Sequence, residues 1–63
     1  MGMKEGDLIM IKKLNRDAWI PGIFIRYARS HGSNIYYDVL VDGKIELVHE
    51  EEMMTMDTYN ETR

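Results

Sequence analysis

Two β-rich runs, Tyr36-Tyr37-Asp38-Val39-Leu40-Val41 and Lys44-Ile45-Glu46-Leu47-Val48, meet at the dipeptide Asp42-Gly43. Asp-Gly between apolar runs is a strong short-range hairpin signal, because a two-residue primed turn requires positive φ, which Gly adopts without steric cost. An antiparallel hairpin is therefore predicted here, and with it an all-β fold.

The chain has 63 residues, enough for one domain with one small core. It contains no cysteine, which excludes a disulfide framework and thiolate metal sites. No apolar run approaches the roughly 18 residues that a membrane-spanning helix needs. The segment Met1-Gly2-Met3-Lys4-Glu5-Gly6 carries no apolar signal-peptide region. The expectation is a cytoplasmic protein that is not inserted in a membrane.

Charge is divided unevenly. Residues 1–33 carry six Lys or Arg against three acids, a net of +3, whereas residues 34–63 carry two against eight, a net of −6. Such asymmetry steers charged partners if the two halves stay apart in space, and cancels if they interleave.

Further strands are predicted from the same kind of pattern. Leu8-Ile9-Met10-Ile11-Lys12-Lys13 follows Gly6-Asp7 as a first strand, and residues 14–18 are polar and loop-like. Trp19-Ile20-Pro21-Gly22 opens a second strand over residues 23–28, whose alternation places Ile23, Ile25 and Tyr27 on one face and Phe24 on the other. Residues 29–34 have the composition of an exposed turn. His49-Glu50-Glu51-Glu52-Met53 interrupts the alternation as a single 3₁₀ turn, and Met54-Thr55-Met56-Asp57 closes the fold as a short strand. The domain is read as residues 6–57, with residues 1–5 as a lead and residues 58–63 as a frayed tail. Its core is expected to comprise Leu8, Ile11, Ile23, Ile25, Tyr37, Val39, Val41, Ile45 and Met53. Closure into a barrel would remove exposed strand edges.

This order of parts resembles an SH3-like small barrel of the Tudor or KOW kind. The resemblance rests on Gly6-Asp7, Trp19-Ile20-Pro21-Gly22-Ile23, Tyr37-Asp38-Val39-Leu40-Val41-Asp42-Gly43-Lys44 and Val48-His49-Glu50-Glu51-Glu52-Met53, which together span residues 6–56. It implies a five-stranded SH3-like barrel with a short 3₁₀ turn before the last strand. It also implies a non-catalytic module that binds a protein partner or a second copy of itself. The alternative it implies, from the KOW side, is RNA or DNA binding. Methyl-reading Tudor domains place an aromatic between the Asp and Gly that are adjacent here, so the resemblance does not by itself imply a complete aromatic cage. The chain is similar as well to short stand-alone proteins of marine tailed phages, which would place it in the cytoplasm of the host cell.

Among individual side chains, Trp19 offers an indole face beside a Pro-Gly turn, suited to stacking on a base, a cation or a peptide ring, or to capping the end of a barrel. Side chains alternate along a strand, so Tyr37 is expected inward with Val39 and Val41, and Tyr36 outward. The candidate partner surface is therefore Trp19, Phe24 and Tyr36. The candidate nucleic-acid patch is Arg16, Trp19, Arg26 and Arg29, set against a sequence pI near 5.2. No nucleophile, base and orienting group can be assembled, so an enzyme is not expected. His31 and His49 have no partner legible in the sequence. Met53 stands where a zinc-protease-like helix would need its second His, so no metal or other cofactor is expected. Met53, Met54 and Met56 form an adaptable apolar cluster, suited to the core or to a dimer seam.

Overall fold

At the predicted turn, Asp42 and Gly43 both have positive φ, 53° and 78°, the signature of a type I′ hairpin. The computed structural model describes residues 3–13 and 17–61. Around this turn it builds β1 (Leu8–Ile11), β2 (Ile20–His31), β3 (Asn34–Val41), β4 (Lys44–His49) and β5 (Met53–Thr55). A 3₁₀ turn over Glu50–Glu52 precedes β5, and a short helix α1 over Met56–Glu61 follows it. The strands form one antiparallel sheet in the order β4-β3-β2-β1-β5. The fold is thus all-β with five strands and a 3₁₀ turn before the last, as the pattern predicts. β4 and β5 remain the two edges, so strand pairing does not close the sheet. Among the described residues no helix is long and apolar enough to cross a membrane.

The inner face carries Ile9 and Ile11 from β1, Phe24 from β2, Val39 and Val41 from β3, and Val48 from β4, all buried. Each fully buried side chain of this kind stabilises the fold by about 1.5–3 kcal/mol. Tyr37 and Met53 pack against this cluster, as expected.

Several core expectations are corrected. Phe24 is buried, and Ile23 and Ile25, taken for core, are only partly covered. In β2 the inner positions before the first irregularity are Gly22 and Phe24, and Gly22 gives no apolar signal to the pattern. The register then shifts between Phe24 and Arg26 and again between Tyr27 and Arg29. Such bulges bend a strand and reset which face its residues occupy. Leu8 and Ile45, also expected inside, are exposed. Leu8 pairs with Ile23, Ile23 with Leu40 and Leu40 with Ile45, a cross-strand row on the outer face.

Residues 29–34 are not a loop. β2 and β3 extend through them as a long hairpin joined at Gly32-Ser33, where Gly32 has φ 64°. The closing strand ends at Thr55, and Met56 begins α1, so residues 58–61 lie in a helix rather than in an unstructured tail.

Candidate functional site

The 3₁₀ turn is organised by His49. Its Nδ1 accepts a hydrogen bond from the Glu51 N–H at 3.0 Å, and its own backbone N–H donates to Glu52 Oε1 at 3.0 Å, a reciprocal capping box. Because Nδ1 accepts, the neutral ring carries its proton on Nε2, which faces Asn34 Oδ1 at 2.9 Å. The imidazole also stands edge-on to the Tyr36 ring, with centroids 5.1 Å apart. His49 therefore has partners on three sides, against the expectation that it has none. Tyr36 and His49 are cross-strand neighbours on the outer face, which explains their contact.

The seam between the two sheet edges lies beside this turn. The Lys12 N–H donates to the Glu52 carbonyl at 2.8 Å, and Lys13 Nζ donates to the Leu47 carbonyl at 2.9 Å. Lys13 thereby ties the end of β1 to the outer edge of β4, across the gap that no strand pairing closes.

At this seam lies an open groove of about 610 Å³, lined by Lys12, Lys13, Trp19, Tyr36, His49, Glu51 and Glu52. Trp19 and Tyr36, singled out from the sequence, thus share one hollow. A flat strand rises about 3.3 Å per residue, which would set Trp19 roughly 30 Å from Arg29, the β2 partner of Tyr36. Only strong coiling of the sheet, helped by the two irregularities in β2, brings both rings to one groove. A second hollow, of about 540 Å³ between Leu8, Thr55 and Met56, has no aromatic wall.

The remaining sequence candidates stand in different surroundings. Phe24 is in the core, its ring tilted against that of Tyr37 with centroids 5.4 Å apart, and is removed from the surface it was expected to share with Trp19 and Tyr36. Arg26 is paired with Asp38 at 3.1 Å, an exposed ion pair worth at most about 1 kcal/mol. Arg29 places its guanidinium 5.9 Å from the centre of the Tyr36 ring. Arg16 lies outside the described residues. Lys12 and Lys13 are legible in the sequence as candidate phosphate contacts, whereas His49, Glu51 and Glu52 were missed as groove residues. Glu52, three residues after His49, fills the carboxylate place of a capping box, but His is not one of the residue types that mark an N-cap in a sequence. Among the described residues no three acidic or histidine side chains converge to hold a metal ion.

Replacing His49 by Ala removes the cap acceptor, the Asn34 contact and the Tyr36 edge together. The expected cost is about 1–2 kcal/mol by urea denaturation. The largest amide shifts should fall at residues 50–52 and Tyr36, and the Asp42-Gly43 hairpin should stay unperturbed.

No family model, curated protein or solved structure matches this chain.

Proposed function

We propose that the chain is a non-catalytic binding module, an SH3-like small barrel in kind, that holds an extended segment of a protein partner in the groove beside Trp19, Tyr36 and His49. Five antiparallel strands with a 3₁₀ turn before the last are compatible with that architecture. The observation that carries the reading is that two aromatic residues line one groove together with residues of both charge signs. Trp and Tyr supply large contact areas at low conformational cost and dominate protein-binding hot spots. Lys12 and Glu51 in the same groove suit a polypeptide bearing mixed charges. Glu50, Glu51 and Glu52 together oppose a polyanion, and Arg26 is already engaged by Asp38. These points favour a protein segment over the nucleic-acid alternative.

The test is selection from a random peptide library, followed by amide NMR titration with the peptides recovered. Shifts are expected at Lys12, Trp19, Tyr36, His49 and Glu51. Trp19→Ala should weaken the selected peptides at least about tenfold, as loss of a hot-spot aromatic does. It should leave the fold intact, because Trp19 is not part of the buried core cluster. An unfolded Trp19→Ala would instead make this residue a structural cap. A parallel titration with mixed single- and double-stranded oligonucleotides should give no shifts at physiological salt. Persistent shifts at Trp19, Arg26 and Arg29 would overturn the protein reading in favour of nucleic acid.

A further inference from the structure

We infer that the outer edge of β4 is a self-association surface, on which a second copy of this chain adds its own β4 antiparallel about a two-fold axis through Ile45. The argument starts from the hairpin. A two-residue turn makes Val41 and Lys44 a hydrogen-bonded pair, so the backbone groups of Lys44, Glu46 and Val48 point to β3. Those of Ile45, Leu47 and His49 then point away from the sheet.

Two of the outward groups are already occupied. The Leu47 carbonyl accepts from Lys13 Nζ, and the His49 N–H donates to Glu52. Lysines and covering turns of this sort are how sheet edges are protected from other chains. The protection stops short of Ile45. Its N–H and C=O face outward beside the turn, and at 59% it is the most exposed of the large apolar residues among the described residues.

The residues flanking Ile45 point to the occupant. In an antiparallel pair centred on Ile45, each Ile45 exchanges both backbone hydrogen bonds with its counterpart, and Lys44 of each copy stands opposite Glu46 of the other. Lys44 and Glu46 lie on the same face of β4 and make no ion pair among the described residues. The strand is thus electrostatically complementary to itself in this one register and in this orientation, as an isologous contact requires. The outer apolar row Leu8, Ile23, Leu40 and Ile45 would then run unbroken across the axis into the same row of the second copy. Only a short stretch of edge is open, so the contact lies below the standard interface size and the dimer is weak, with Kd on the order of 10⁻⁴ M.

The experiment is sedimentation velocity on the full chain from about 10 µM to about 1 mM, with two kinds of variant. The wild-type mass should rise with concentration from 7.4 kDa toward twice that value. Ile45→Pro should abolish the rise while keeping the fold, because the N–H it removes is not part of the β3–β4 ladder. Lys44→Glu and Glu46→Lys should each be monomeric, since each sets like charges opposite one another. An equimolar mixture of the two should dimerise, since opposite charges then meet at both positions. A mass that stays at one chain throughout overturns the proposal. So does a dimer that survives Ile45→Pro, or single-charge variants that associate as well as their mixture. A peptide that shifts Ile45 on a chain that remains monomeric would assign the edge to a foreign strand instead.

Discussion

Phe24→Ala is expected to leave the protein largely unfolded at 25 °C. Truncating a buried Phe to Ala costs about 3–5 kcal/mol through lost apolar contact and the cavity left behind. A core in a domain of this size supplies little more than about 3–5 kcal/mol in total. Phe24 is 6% exposed, packs its ring at a tilt against Tyr37 and pairs across the sheet with Val39. Its backbone is held from the other side, where its N–H donates to the Asp7 carbonyl and its carbonyl accepts from the Gly6 N–H, both at 2.8 Å. No neighbouring segment is therefore free to collapse into the space. Collapse of amide dispersion in an NMR spectrum, or loss of a cooperative urea transition, is the expected readout. Were Phe24 on the outer face, as simple alternation predicts, the same change would stay within about 0.5 kcal/mol of wild type. The measurement thus decides directly between the two placements.

The second large effect is expected at a residue with no side chain. Gly22 is buried on the inner face, and a Cβ built there would lie 2.7 Å from Ile11 Cδ1, 2.9 Å from Val39 Cγ1 and 3.3 Å from the Leu40 carbonyl. The Ile11 methyl is the end of a flexible side chain and can move. Val39 cannot easily do so, because it is β-branched, stiff at χ1 and wholly buried. Gly22→Ala should therefore destabilise the fold by about 2–3 kcal/mol, the upper part of the range for overpacking. A double-mutant cycle isolates the cause. Val39→Ala is destabilising by itself, but it removes the obstructing methyl. In the Gly22→Ala background its effect should thus be smaller by about 1 kcal/mol. Strict additivity in urea denaturation would refute the steric account.

The register of β4 was available from the turn alone. A two-residue Asp42-Gly43 loop pairs Val41 with Lys44 and so places Val48 inside and Ile45 outside. Apolar alternation points the other way, because Lys44 and Glu46 occupy inner positions near the open end of the sheet. Turn geometry prevails because it sets hydrogen-bond register, whereas an exposed Ile costs little. In β2 no comparable signal exists. Its two irregularities follow from how the long β2–β3 hairpin must bend, and no residue type in residues 20–31 marks them.

The site divides along the same line. Trp19 and Tyr36 were identifiable by type, since unattached aromatics on polar or turn-flanked positions invite contact. That Phe24 leaves their company, and that Lys12, His49, Glu51 and Glu52 join it, depends on how far the sheet curls.

Local chemistry in the sequence determined the class of fold, the Asp42-Gly43 hairpin and the 3₁₀ turn before β5, because positive φ and the interruption of alternation are properties of a few adjacent residues. The tertiary structure alone decided which face of β2 is buried and the groove between Trp19 and Tyr36. Those depend on bulges and sheet coiling, which bring together residues far apart in the chain and leave no local trace.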